Sequence, residues 1–203
     1  PSAGRGLGIG RSSRFVAVAT LVAGGLALTA CLPLGRPAVP MRTLELVKEG
    51  ESRCLAVLLP GRLNAPEKFA EAGFASAVAT RDLALDLVAV DAHLGYYRDR
   101  SVVERLRLDV VAPARAAGYD TIWLVGSSLG GIGGLLYLKH HPEDLAGVFV
   151  LAPYLGPEEV IDEIAAAGGP ARWRPPNRVD DDDVGRELWR WLAPWLAGEQ
   201  KVA

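Results

Sequence analysis

The sequence feature that most constrains the fold is a series of short, continuous apolar runs separated by segments of helical pattern. Continuous runs are typical of strands buried on both faces of a parallel sheet, because alternation is expected only where one face meets water. The four runs are residues 55–59, 85–90, 122–125 and 148–151. The three helical segments between them are residues 66–78, 101–117 and 129–141. This order predicts an α/β fold with a doubly wound, mostly parallel sheet and helices on both faces.

The flanking segments add an edge strand and defined helix ends. Apolar and polar side chains alternate over residues 43–48, which indicates a half-buried edge strand. We expect this strand to form a hairpin with the strand at residues 54–59. Ser101 followed by Glu104 predicts a capping box at the start of the second helix, and Gly118 suits a left-handed residue after its end.

The N-terminal 30 residues have the pattern of an export signal. Three arginines lead to an uncharged apolar run, residues 15–28, which is shorter than the roughly 20 residues of a membrane-spanning helix. Residues 28–31 read Leu-Thr-Ala-Cys and resemble the lipobox of bacterial lipoproteins, which implies cleavage before Cys31 and a lipid on its sulfur. We therefore expect residues 1–30 to be a signal peptide, residues 31–40 to be a tether, and the protein to be exported and lipid-anchored to a membrane. A plain signal peptide is the alternative.

Length and charge narrow the class of protein. The chain of 203 residues is half apolar and 23% charged, which suits one domain with a sizeable core, here residues 41–203. The signal segment holds three arginines and no acidic residue, so the remainder has 19 basic and 24 acidic residues and a formal net charge of −5. Nucleic acid is therefore not expected as a partner. Lipidation of Cys31 would leave Cys54 single, and we expect a buried thiol there rather than a disulfide.

Residues 126–130 carry the pattern G-x-S-x-G, directly after an apolar run and directly before an apolar helix. A serine on such a sharp strand-to-helix turn is strained and exposed, and Gly126 and Gly130 remove side chains that would collide where the strand meets the helix. This context predicts a nucleophile elbow with Ser128 as the nucleophile. The alternative is a glycine-rich helix entry in which Ser128 only caps the helix.

On this elbow and its order of strands, residues 41–156 resemble the α/β-hydrolase superfamily. The resemblance implies a serine hydrolase that acts on a small-molecule ester through an acyl-enzyme, with no metal and no cofactor. It also implies two backbone donors for the oxyanion. One is the N–H of Leu129, and the other is the N–H of Arg62 or Gly61, in the loop after the first buried strand.

The base that the resemblance implies is not in its expected place. The family order is serine, acid, histidine, but only His140 and His141 follow Ser128, and they lie ~18 Å along the same helix at 1.5 Å per residue. His93 follows a strand and is, with Tyr154, a candidate for the pocket wall. We expect the base, the acid and the last strands to lie beyond this chain, which would then be a C-terminally truncated and inactive hydrolase. The alternative is a lipid-anchored, non-catalytic binding protein on the same fold.

The strand pattern stops after the last apolar run. Residues 157–203 are expected to be helical and to cap the pocket or cover the core, with Leu188 and Leu192 on one apolar face. The four acids at residues 180–183 indicate the N-terminus of that helix rather than a cation site.

Overall fold

The computed structural model describes residues 35–48, 52–180 and 182–198. The predicted signal peptide, Cys31 and the start of the tether lie outside these residues. The strands are β1 (Thr43–Val47), β2 (Cys54–Leu59), β3 (Asp86–Val90), β4 (Thr121–Ser127) and β5 (Gly147–Leu151). The α-helices are α1 (Glu67–Glu71), α2 (Phe74–Thr80), α3 (Leu94–Arg98), α4 (Val102–Leu106), α5 (Ala112–Ala116), α6 (Leu129–His140), α7 (Glu158–Ala166) and α8 (Val184–Leu196). In this part of the chain no helix is both long and apolar enough to cross a membrane.

The described strands form one sheet in the order β1-β3-β2-β4-β5, in which β1 is antiparallel to β3 and all other pairs are parallel. The predicted hairpin between β1 and β2 is wrong. Both edges of β2 are taken by parallel partners, so β1 pairs instead with the outer edge of β3, with Thr43 opposite Val90. The predicted fold class, a doubly wound and mostly parallel sheet, is confirmed.

Successive residues of the central strands point to opposite faces and build two cores. On one face, Val57 of β2 packs in a cluster with Leu106 of α4 and with residues of α6. On the other face, Leu58 packs with Phe69 of α1 and Val78 of α2. Helices therefore cover both faces of the sheet, as the alternation of strands and helices predicts.

Two details of the helices differ from the sequence predictions. The segment at residues 66–78 contains two helices rather than one, because Gly73 adopts a φ of 79° that a continuing helix does not allow. The capping box is wrong as well, since the Ser101 side chain makes no cap hydrogen bond. Its N–H and its hydroxyl both donate to the carboxylate of Asp99. Gly118 has a φ of 99° and ends α5 in the predicted left-handed conformation.

The C-terminal helices pack on α6 and on each other. Leu188 of α8 is fully buried and packs in a cluster with Leu129 of α6, whereas Trp189 lies in a separate cluster with residues of α7. The acidic run supplies the N-cap of α8, as predicted. The carboxylate of Asp183 accepts the N–H of Arg186 at 2.9 Å.

Among the described strands, β5 is an edge of the sheet that exposes apolar side chains. Phe149, Val150 and Leu151 are 60%, 38% and 50% exposed. Edge strands of soluble proteins usually carry charges or are covered by another segment. In the described part of the chain, β5 therefore leaves apolar side chains exposed to solvent.

Candidate active site

Ser128 is the single residue between the end of β4 and the start of α6. Its backbone has a φ of 49° and a ψ of −111°, a conformation that costs on the order of 1–3 kcal/mol for a residue with a side chain. The turn leaves Ser128 exposed although Leu129 and Gly130, which follow it, are buried. Its hydroxyl makes no hydrogen bond to any described residue. The strained turn thus presents a serine hydroxyl to solvent.

Glycines permit this turn because they let β4, α6 and β2 approach one another closely. A Cβ atom on Gly126 would overlap the backbone carbonyl of Gly130, and a Cβ atom on Gly130 would overlap the backbone carbonyl of Leu59 in β2. Neither obstacle is the flexible end of a side chain, so a larger residue would have to displace a strand or a helix. The G-x-S-x-G spacing therefore meets a steric requirement of this junction.

The segment after β5 holds the same turn from the other side. The N–H of Ser128 donates to the carbonyl of Leu151 at 3.0 Å. The carbonyl of Ser128 accepts the N–H of Tyr154 at 2.9 Å and the N–H of Gly131 at 2.9 Å. These three bonds fix both polar backbone groups of Ser128, so the direction of its side chain is set by the sheet and not by a flexible loop.

The loop after β2 lies directly against the serine. A Cβ atom added to Gly61 would lie 3.6 Å from the Cβ of Ser128, so the two residues are in close contact. Arg62, the next residue, is exposed. The N–H of Leu129 is the first of α6, so it has no partner within the helix and stands at the positive end of the helix dipole. The structure therefore brings together the serine and the two segments from which the sequence predicts oxyanion donors.

Asn64 is a residue near the site that the sequence reasoning missed. Its N–H donates to the carbonyl of Gly61 at 3.0 Å, and its side-chain amide nitrogen is 3.5 Å from the Gly61 Cβ position. The amide of Asn64 is therefore a further hydrogen-bond donor beside Gly61, in the loop that lies against Ser128. The only signal in the sequence is an asparagine in a loop, and such a residue marks turns far more often than sites.

His93 is held away from the serine by its own role in the fold. Its Nδ1 accepts the N–H of Gly95 at 3.1 Å and so caps α3, and its ring packs on Tyr96 with centroids 4.6 Å apart. The strand before it, β3, is separated from β4 by β2, and two strand spacings amount to ~10 Å. None of the contacts described for His93 is with Ser128.

The other two histidines lie at the opposite end of α6. Partial burial, and then the charge of Lys139, lower the pKa of His140 and favour its neutral form. The ring of His141 packs on Tyr137 with centroids 5.3 Å apart. As the helix geometry predicts, neither histidine reaches the elbow.

The described residues contain one group of side chains with the spacing of a metal site, and it is remote from Ser128. His141, Glu143 and Asp144 offer ligand atoms within 4.8 Å of one another. Asp144 already accepts the hydroxyl of Tyr137 at 2.8 Å and lies 3.6 Å from Arg107. This group therefore serves the end of α6, and we assign no metal to it.

A groove begins beside the elbow and follows the outer face of α6. We call it the α6 groove; its volume is about 410 Å³, and α3, α4 and the start of α8 form its walls. Tyr154, which the sequence places in the pocket wall, lines it, whereas His93 does not. Other apolar lining residues are Tyr97, Val103, Leu129, Ile132 and Leu136.

Comparison with known proteins adds no closer relationship than one of fold. No protein-family model and no curated protein sequence matches this chain. A CIB-like hydrolase from Thermoplasma acidophilum aligns with a TM-score of 0.43 and 14% identity over 56% of this chain and 63% of its own. The protein Est1E from Butyrivibrio proteoclasticus, solved with ferulic acid bound, aligns with a TM-score of 0.48 and 14% identity over 74% and 67%. A bottromycin epimerase aligns with a TM-score of 0.44 and 22% identity over 75% and 68%.

This chain therefore spans between 63% and 68% of the length of these three proteins. Similarity at this level bears on the fold alone, and a fold of this kind hosts unrelated chemistries.

Proposed function

We propose that this chain carries the nucleophile of a serine hydrolase of the α/β-hydrolase superfamily. Its substrate would be a small-molecule carboxylic ester. The observation that carries the proposal is the strained and exposed Ser128, with the Gly61 loop packed against it and the first N–H of α6 next to it in sequence. A hydroxyl held among backbone donors is suited to attack a carbonyl carbon and to stabilise the oxyanion that forms.

In the reaction, the Ser128 oxygen bonds to the ester carbonyl carbon while a base takes the hydroxyl proton. The N–H of Leu129 and the N–H of Gly61 or Arg62 bind the oxyanion. Collapse of the intermediate breaks the bond to the alcohol, which leaves with the proton, and water then releases the acid from the acyl-serine. We propose that the base and its acid come from residues outside this chain. The open β5 edge, with Phe149 and Leu151 exposed, supports a sheet continued by further strands.

A short-chain aryl ester assay tests this proposal on two proteins, this chain and a longer product of the same gene. We expect this chain to be nearly inert, because a serine without a base is a poor nucleophile. The longer product should turn over and should lose turnover in the Ser128→Ala variant, while Ser127→Ala is the matched neighbouring control. Rapid turnover by this chain alone, lost in Ser128→Ala, would show that the chain contains a base. His93 would then be the candidate for that base.

The alternative is a non-catalytic, lipid-anchored binding protein on the same fold. The observation that favours it is the absence, among the described residues, of any histidine in contact with Ser128. A fluorophosphonate probe discriminates between the two, because it labels only an activated serine. A longer product that binds small esters but is neither labelled nor active would favour the binding protein.

Membrane attachment through Cys31 is part of the proposal and rests on the sequence, since Cys31 lies outside the described residues. The test is to express the chain in a bacterial host and to separate membrane from soluble fractions. Cys31→Ser should move the protein to the soluble fraction, whereas Cys54→Ser, the matched control, should not. Equal amounts of soluble, signal-cleaved protein from the unchanged chain and from Cys31→Ser would rule the anchor out.

A further inference from the structure

The α6 groove is long, narrow and mostly apolar. Its floor contains Leu129, Ile132, Leu136 and Lys139, whose spacing places them along one face of the helix. Ten residues at 1.5 Å each give a length of ~15 Å. The volume of about 410 Å³ lies within the ~300–1,000 Å³ of small-molecule pockets. A linear apolar chain is the shape that such a groove fits.

The rim of the groove adds positive charge. Arg98 and Arg100 line it, both are exposed, and neither forms an ion pair with any described residue. The carboxylate that lines the groove, Glu187, is already paired with Lys139 at 2.5 Å. The neighbouring Asp99 accepts two hydrogen bonds from Ser101 and is not in the lining. Arg98 and Arg100 thus form no ion pair in the described part of the chain, and the nearest carboxylate in sequence, Asp99, is hydrogen-bonded to Ser101.

We infer that the α6 groove binds a single-chain carboxylate amphiphile, with its apolar chain along α6 and its carboxylate at Arg98 and Arg100. Guanidinium groups bind carboxylates in a planar, bidentate geometry, which an uncharged or cationic head cannot use. The apolar floor would bind the hydrocarbon chain of the ligand, and the two arginines would bind its carboxylate head group. The inference goes beyond the proposed function, because binding of such a ligand needs neither the Ser128 hydroxyl nor a base.

The experiment is a calorimetric titration of the full chain with octanoate, below the concentration at which octanoate forms micelles. Octanol and octyltrimethylammonium are the uncharged and cationic controls. The head-group variant is Arg98→Gln with Arg100→Asn, because asparagine tolerates the φ of 62° at position 100. Arg178→Gln is the matched control for loss of an exposed arginine outside the groove. Leu136→Gln tests the floor.

Octanoate should bind at one site per chain and more tightly than either control ligand. The double arginine variant should weaken octanoate binding about tenfold, as expected for two exposed ion pairs, and should leave octanol unchanged. Leu136→Gln should weaken both ligands, and Arg178→Gln neither. Equal affinities for octanoate and octyltrimethylammonium, no saturable site, or an unaffected double variant would each overturn the inference. Since both arginines are exposed, this result does not depend on whether Leu136→Gln folds.

The same titration on Ser128→Ala separates this inference from the proposed function. Unchanged octanoate binding to Ser128→Ala is expected even if no ester is ever hydrolysed. Octanoate binding by this chain, together with a longer gene product that hydrolyses no ester, would therefore contradict the hydrolase and support the groove. An active hydrolase without the octanoate site would contradict the groove alone.

Discussion

The two ends of α6 are held in place in different ways. At the Ser128 end, backbone packs on backbone, and Gly130 lies against the carbonyl of Leu59. At the His140 end, side chains make the contacts: the hydroxyl of Tyr137 donates to Asp144 at 2.8 Å, and Lys139 pairs with Glu187 at 2.5 Å. Where backbone packs on backbone, there is no room for an added side chain. Where two side chains meet, a substitution removes only one hydrogen bond or ion pair. The first end therefore fixes the geometry of the serine, and the second only fastens the helix.

The largest effect is expected from Gly130→Ala. The new Cβ would overlap the Leu59 carbonyl, so β2 and α6 would have to move apart. We expect the free energy of unfolding to fall by about 3 kcal/mol or more, or the protein not to fold. Urea unfolding followed by tryptophan fluorescence measures the change.

The control for this variant is Gly118→Ala, at an open position with a φ of 99°. It introduces the same methyl group with backbone strain but without a clash, and should cost about 1–2 kcal/mol. If the free energy of unfolding fell equally in the two variants, the close approach of α6 to β2 would not be what stabilises the turn at Ser128.

A smaller effect is expected at the other end of the helix from Tyr137→Phe. Tyr137 is fully buried, and the change removes its hydrogen bond to a carboxylate without removing the ring. The free energy of unfolding should fall by about 1–3 kcal/mol, as for other hydrogen bonds to charged groups. Tyr154→Phe, on an exposed side chain, is the control and should change little. A loss as large as that of Gly130→Ala would remove the contrast between the two ends.

The same tyrosine gives this end of α6 a pH dependence. Burial, and then the hydrogen bond to Asp144, raise the pKa of Tyr137 above its ordinary value of ~10. The folded protein holds the proton more tightly than the unfolded chain, so this stabilisation is complete below about pH 10 and is lost as the pH rises through the folded-state pKa. The stability of Tyr137→Phe should therefore fall less steeply above about pH 10. Parallel curves for the two proteins would contradict this account.

The same contrast explains which features the sequence could predict. The pattern of the turn lies in residues close in sequence, so Gly126, Ser128 and Gly130 could be identified from their spacing and from the apolar run and helix that flank them, although the contact of Gly130 with Leu59 could not. That residues 55–59 form a strand likewise follows from a continuous apolar run, but its central position does not, because the similar run at residues 148–151 forms the edge strand β5. The partner of β1 is determined by strands that are far away in sequence. The alternation of residues 43–48 indicates an edge strand but does not indicate which strand it pairs with.

The remaining errors arise where two local contacts compete or where no pattern exists. Ser101 has the spacing of a capping box, but the carboxylate of Asp99 is nearer and takes its hydrogen bonds. Asn64 lies beside Gly61 only because the loop after β2 folds back, with the N–H of Asn64 donating to the carbonyl of Gly61. The unpaired arginines of the α6 groove, Arg98 and Arg100, belong to no motif, and their role depends on helices that the chain brings together only when folded.

The smallest effect is expected from replacing both His140 and His141 with glutamine. Both residues lie ~18 Å from Ser128 along α6, and the side chain of His140 makes no hydrogen bond to a described residue. We expect the free energy of unfolding to fall by about 1 kcal/mol or less, because His140 is exposed and His141 loses mainly a ring contact with Tyr137. Any ester turnover should be unchanged within about twofold, because a base must come within hydrogen-bond reach of the serine. The measurement is the aryl ester assay on the longer gene product with and without the two substitutions, and Lys139→Gln serves as a control for altered charge at this end. A large loss of turnover with unchanged stability would mean that a histidine at the far end of α6 acts on the serine, and the two ends could no longer be treated as separate.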